Sequence, residues 1–388
     1  MSLDFNKILI SIVRSALTKE KAAVPSDFDT AKLFKTSNDH HIMNIVYSGS
    51  ILSGLDKKDP FVQKLFIGAG KEMIRSELQQ KELSLLFDEF EKQDVEYMPL
   101  KGINLKKIYP APEMRVMSDA DVVINQNDYP RIQKLMERLG YTFECESNHE
   151  YIYRKDTLLL ELHKMLIPSY NEDYYSYFGS GFAKGVKNRG SLYKMSPEDE
   201  FIFIFAHFAK HYRDGGIGIK HLIDIYVYLN HYKNIDKKYI EKELLSLGLY
   251  DFYINVLHLI DVWFENKKSS PLTDFMSEVI IESTAYGTRD KHITAQALRI
   301  SKGKHRAFRM FISRLFPPLS VMKISYKSLI KFPFLVPVFW VVRIFDALIN
   351  KRQRVKIQLD NIKEISENEV LGYEKTLKYV GLSFKYKE

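Results

Sequence analysis

At 388 residues, with 45% hydrophobic and 13% aromatic side chains, the chain has ample apolar material for packed cores and is neither disordered nor fibrous in composition. Its one cysteine, Cys145, excludes an internal disulfide framework and fits a reducing compartment, so the expected location is cytoplasmic. The net charge of +8 is unevenly placed: residues 301–356 hold 13 Lys or Arg against one acid, Asp346, and the rest of the chain holds 44 basic and 48 acidic residues.

The amino terminus, Met1 to Ile10, lacks a basic region leading into a continuous apolar stretch and does not read as a signal peptide. Phe5, Ile8, Leu9, Ile12 and Val13 fall instead on one face of a helix. Helical spacing of apolar residues continues to about residue 90, with a break from Asp56 to Pro60. It is clearest from Lys71 to Lys92, where Met73, Ile74, Leu78, Leu83, Leu85, Leu86, Phe87 and Phe90 predict a long amphipathic helix. The pattern then changes to a short strand over Val95 to Leu100, a Lys101-Gly102 turn, a short helix over Ile103 to Tyr109 and a loop through Pro110 and Pro112. An acidic strand ending at Ile124 and a second helix, Asp128 to Leu139, stopped by Gly140, come next. A hairpin-like pair, Tyr141 to Glu144 and Glu150 to Arg154, leads into a strand around Glu161.

From Ser196 the chain is helical again. Ser196-Pro197-Glu198-Asp199 supplies an N-cap, a first-turn proline and acids near the positive end of the helix. Helical patterning runs on through Tyr228, Ile240 to Leu247 and Phe252 to Phe264. The glycines at 215, 216 and 218 are not a dinucleotide fingerprint, because no strand leads into them; they predict a flexible helix connection. The expected fold class is α+β, a small mixed-sheet core over 71–168 flanked by an N-terminal helical region (1–70), a larger helical region (195–300) and a basic, partly apolar helical tail (301–388).

The chemistry concentrates in Arg115-Val-Met-Ser-Asp119-Ala-Asp121-Val-Val-Ile124. On an extended strand Asp119 and Asp121 leave the same face. Two like charges that close are unfavourable unless a cation lies between them, most simply a hard divalent metal. In Leu158 to His163, Leu158, Leu160 and Leu162 alternate with Leu159, Glu161 and His163, so pairing this strand with the acidic one brings in a third carboxylate. Transfer of a nucleotidyl group needs such metals and positive charge on the phosphates. Gly102 would permit close approach of a triphosphate, with Lys101 beside it, and Arg115 could reach a phosphate oxygen. Bland readings stand beside these: an ordinary solvated acidic turn, a surface position for Glu161, and structural counter-ion roles for Lys101 and Arg115. His163 reads as a hydrogen-bonded neighbour of Glu161. His207 and His211 have zinc-ligand spacing but lack the Glu of His-Glu-x-x-His, and the helically spaced Phe201, Phe205 and Phe208 assign them to helix packing.

Leu100-Lys101-Gly102, Leu105, Tyr109, Arg115, Ser118-Asp119-x-Asp121 and Glu161-Leu-His163, with His207-x-x-x-His211 and Leu222-Ile-Asp224 later on, resemble the uncharacterised nucleotidyltransferase family of the DNA-polymerase-β-like superfamily. Where that superfamily carries Gly-Gly or Gly-Ser, this chain has Lys101-Gly102. The resemblance implies a sheet whose Asp119, Asp121 and Glu161 are catalytic and hold Mg²⁺ or Mn²⁺, with Lys101, Gly102, Arg115 and Ser118 steadying an NTP substrate such as ATP. It implies transfer of NMP to an acceptor it does not identify.

Phe332 to Val342 is 11 residues without charge, short of the ~20 needed to span a bilayer. With Lys323, Lys327 and Lys331 before it and Arg343 after, it fits either a buried segment or peripheral contact with an anionic membrane surface through 301–356. Membrane contact would favour a lipid-linked or cell-surface polysaccharide acceptor. The competing readings are a catalytically silent nucleotide-binding scaffold at a membrane and an RNA-modifying nucleotidyltransferase. Nucleic acid is the less favoured partner, because the basic segment carries long apolar stretches rather than aromatics interleaved with basic residues.

Overall fold

The computed structural model describes residues 5–25, 27–168, 171–179, 181–284, 295, 298, 312, 315–326, 328–350 and 367–383. Seven strands form one mixed sheet: β1 (Tyr97–Pro99), β2 (Ala120–Ile124), β3 (Thr142–Glu146), β4 (Glu150–Lys155), β5 (Leu158–His163), β6 (Val186–Arg189) and β7 (Leu192–Lys194), in the spatial order β3-β4-β5-β2-β1-β7-β6. β1 runs antiparallel to β2, and β2 runs parallel to β5. The β3-β4-β5 meander extends one side of the sheet. On the other, β7 pairs with β1 through Tyr97 and Leu192, an edge hairpin for which the sequence reading assigned no element.

Period-two alternation sorts the sheet's side chains into two cores. Tyr97, Val122, Ile124, Leu158, Leu160 and Leu162 face one way, onto α6 (Tyr129–Arg138) and the end of α4 (Pro60–Lys92). Met98 and Val123 face the other way, into a larger core made by helices from both ends of the chain. These are α1 (Phe5–Thr18), α2 (Thr30–Asp39), α3 (Met43–Leu52) and, beyond the sheet, α8 (Pro197–Arg213), α9 (Ile219–His231), α10 (Lys237–Ser246), α11 (Tyr250–Phe264) and α12 (Pro271–Glu282), joined by α7 (Glu172–Phe178) from between β5 and β6. Ile12, Val46 and Leu65 share that core with Phe205, Ile223 and Trp263. Gly49 lets α3 lie against α1: a Cβ there would sit 2.0 Å from the Ile12 carbonyl oxygen. Arg14 ties α1 to the far end of α11, its Nε donating to the Trp263 carbonyl at 2.5 Å. Ser196 caps α8 by accepting from the Asp199 amide at 3.1 Å.

Two elements differ from the sequence expectation. In α4, Leu83, Leu86 and Phe90 are buried as expected, but Met73, Ile74, Leu78 and Leu85 are exposed. The helix turns Ser76 and Gln79 inward instead, and both are satisfied: Ser76 Oγ accepts from Lys106 Nζ at 2.6 Å, and Gln79 Nε2 donates to the Met117 and Thr157 carbonyls at 3.2 and 3.1 Å. The helix after Gly102 is only α5 (Gly102–Leu105), and Lys107 and Ile108 continue it as i+3 turns.

Beyond α12 the described chain forms α13 (Leu319–Ser325), α14 (Ser328–Lys331), α15 (Val336–Asn350) and α16 (Glu367–Tyr379). Of the 13 basic residues in 301–356, Lys323, Lys331 and Arg343 are among the described residues and the others lie outside them. Among the described residues no helix is long and apolar enough to cross a membrane.

His40 is one of several buried histidines that make folding sensitive to acid. His40 Nδ1 accepts from the Ile219 amide at 3.2 Å, which places the ring proton on Nε2, donating to the Ile281 carbonyl at 3.0 Å. Burial holds its pKa below the ordinary value. The folded protein therefore keeps His40 neutral where the unfolded chain, with a pKa near ~6.5, takes up a proton, so stability falls as pH drops below that value by up to ~1.4 kcal/mol per pH unit. Between pH ~6.5 and ~5 the urea midpoint is expected to fall less steeply in His40→Gln than in wild type. Equal slopes would mean that His40 does not carry the effect.

Candidate active site

The face of the sheet turned toward the helical half changes from apolar to ionisable along β2, β5 and β4. Asp121 stands directly opposite Glu161 in the parallel β2-β5 pair, and Val123 opposite His163. The antiparallel β4-β5 pair then places Glu150 opposite His163. The result is a tight cluster: His163 Nε2 lies 2.8 Å from Asp121 Oδ1, 3.5 Å from Glu161 Oε2 and 4.0 Å from Glu150 Oε2. His149 adds a contact to Glu150 at 2.9 Å. Asp119 sits one residue before β2, half-buried, and lines the same cavity.

Two cations hold these acids together. Lys101 Nζ lies 3.1 Å from Asp121 Oδ2. Burial works against ionising Asp121, but Lys101 and His163 overcome it and hold the carboxyl well below the usual range. Burial likewise disfavours a charged imidazole at His163, yet its hydrogen bonds to Asp121 and Glu161 push it up to about 9. Burial lifts Glu161 to about 7; the bond from His163 opposes that rise, while the charges of Asp121, Glu150 and Asp119 add to it.

Lys101 reaches Asp121 from an uncommon backbone conformation, φ 40° and ψ −111°, at the end of β1. A side chain other than glycine at positive φ costs energy, and such strain concentrates where a side chain must be aimed. Gly102 beside it is explained by packing: a Cβ there would press on Met117, 3.2 Å from its Cγ. Gly102 also borders the cavity, whereas Ser118, half-buried, does not.

Arg115 borders the cavity but gives its Nε to Asp224 Oδ1 at 2.6 Å and its Nη1 to the Val116 carbonyl at 2.6 Å. Tyr109 donates to the same Asp224 oxygen at 2.5 Å. Tyr109, Arg115 and Asp224, far apart in sequence, are thus one buried unit that fastens the loop before β2 to α9.

The cavity measures about 270 Å³ and is walled by the acidic face, by Lys101 and Arg115, and by residues of α8 and α9. One water needs only ~10–15 Å³ on this measure, so there is room for a phosphate chain. His207 and His211, expected to serve helix packing, line it together with His221; ring centroids lie 4.3 Å apart for His207 and His211 and 6.4 Å apart for His211 and His221. Burial depresses all three well below the ordinary histidine value. Lys220 lines the cavity too, lowered by burial and by Arg115 to about 8. Glu150, His149, Lys220 and His221 were missed in the sequence. Glu150 could have been found by registering the β4-β5 hairpin against His163, and Lys220 by its position one helical turn before Asp224.

For a divalent cation, Asp121, Glu161 and His163 each present one ligand atom, all within 4.8 Å of one another. The two carboxylates suit such an ion, and His163 could join them only by giving up its proton, since a charged imidazole has no lone pair to offer. The sequence model of the family described as uncharacterised nucleotidyltransferase matches residues 26–265, more than half of the chain, and the chain belongs to that family. No curated protein and no solved structure matches it.

Proposed function

We propose that the protein is a metal-dependent nucleotidyltransferase that moves NMP from an NTP to an acceptor hydroxyl. The observation that carries this is the register of β2 against β5, which sets Asp121 beside Glu161 at the floor of a cavity that Lys101, Arg115 and Lys220 also line. Asp119, Asp121 and Glu161 would hold Mg²⁺ or Mn²⁺, and the bound ion would neutralise triphosphate charge and polarise the attacking oxygen. Glu161 completes that set or takes the acceptor's proton. His163 keeps Asp121 oriented through its 2.8 Å contact. Lys101, Arg115 and Lys220 supply positive charge to the phosphates at short range in a partly dehydrated cavity. Gly102 flanks the phosphate approach, and Ser118 stands behind it without bordering the cavity.

Calorimetric titration with each common NTP plus Mg²⁺ or Mn²⁺, followed by transfer of an α-phosphate label to fractionated cell extract, tests the reading. Metal-dependent binding with label transfer and pyrophosphate release is expected. Absence of binding by every NTP with either metal would sink it, and binding without transfer would make this a nucleotide-binding module.

A further inference from the structure

A helix that is apolar on both sides needs two apolar partners. α15 has one within the chain. Its Val336, Phe339 and Trp340 close a small core with Met322 and Leu329, separate from the two larger cores, and Trp340 Nε1 donates to the Pro317 carbonyl at 2.9 Å. The helical spacing of Val338, Val341, Val342, Phe345 and Ile349 gathers them on another face, and Phe334 lies just before the helix; all six are between 47% and 74% exposed. So large an uncovered apolar stripe on one helix marks an interaction surface.

Charge says what covers it. The stripe lies inside the 301–356 segment, with its 13 Lys or Arg and single acid. A second copy would bring a second segment of 13 basic residues and one acid toward the first, and like net charges disfavour that approach. The matching surface is both apolar and anionic, as a lipid leaflet is. At 15 residues α15 is ~22 Å long, against ~30 Å for a hydrocarbon core, so it is too short to span and is suited to lying in the plane of the interface. We propose that α15 and the chain leading into it dock on an anionic bilayer, with the Val338–Phe345 face in the acyl boundary and the net positive charge of the 301–356 sequence supplying attraction to the phosphate headgroups. This inference is independent of the transfer reaction.

Cosedimentation of the full chain with lipid vesicles tests it. With about a third of the lipid as phosphatidylglycerol, binding is expected to be about tenfold tighter than to phosphatidylcholine alone and to weaken with added salt. Val338→Asp combined with Phe345→Asp is expected to lower it about tenfold with circular dichroism unchanged, while Leu245→Asp, at an exposed leucine on α10, has no effect. Equal binding to both vesicle types, or binding that the double substitution leaves intact or that Leu245→Asp weakens as much, would overturn the proposal. So would a dimer in sedimentation equilibrium that the double substitution dissociates, since that would assign the stripe to a second copy.

Discussion

Replacing Asp121 with asparagine is expected to lower nucleotidyl transfer about a thousandfold, ~4 kcal/mol of transition-state stabilisation, with circular dichroism unchanged. The substitution keeps the size of the side chain and removes the charge that meets Lys101 at 3.1 Å and His163 at 2.8 Å. Glu161→Gln is expected to fall in the same range. Because the two carboxylates act on one centre, the double variant is expected to be hardly worse than either single change. Asp88→Asn, an exposed acid on α4, serves as the control and is expected to stay at the wild-type rate. Transfer by Asp121→Asn above about a tenth of wild type would remove Asp121 from the catalytic centre.

The second large effect is on stability. Asp224 is 2% exposed and accepts from both Arg115 and Tyr109. Asp224→Ala leaves the Arg115 guanidinium buried without its carboxylate and is expected to cost about 3–5 kcal/mol in denaturant unfolding. Arg115→Met joined to Asp224→Leu buries neither charge and is expected to recover most of that loss, since well-packed apolar pairs often match a buried ion pair. If the double variant is instead less stable than Asp224→Ala, the two residues are not coupled and the fastening of the β2 loop to α9 lies elsewhere.

How much of this was legible in the sequence depended on whether one period dominated a segment. Leu158 to His163 alternates strictly, and the observed β5 has those bounds. Asp119 was read as lying on the acidic strand, but β2 begins at Ala120, so the acid falls in the entering loop. α4 was legible as a helix but not in its orientation, because hydropathy cannot foresee that Ser76 and Gln79 find buried partners while Ile74 and Leu78 remain outside. Arg115 illustrates the harder limit. Four residues from Asp119 it reads equally as a phosphate ligand or as a counter-ion, and its partner Asp224 lies 109 residues away, a pairing no local pattern encodes. The histidines of α8 and α9 were obscured for a related reason: among Phe201, Phe205 and Phe208 they look like packing residues, and only the approach of α9 shows that they border a cavity.

The bond from Arg14 to Trp263 joins residues 249 positions apart, and His40 reaches Ile281 across 241. Contacts of such separation make for slow folding, because the intervening chain must be gathered before they form. During synthesis at ~5–20 residues per second, α1 and α2 emerge on the order of 10–50 seconds before α11 and α12 exist to cover them. For that interval Leu9, Ile12 and Leu33 face water or a chaperone. A ribosome stalled between the two regions would therefore hold a nascent chain that exposes its first helices and cannot finish its own interior.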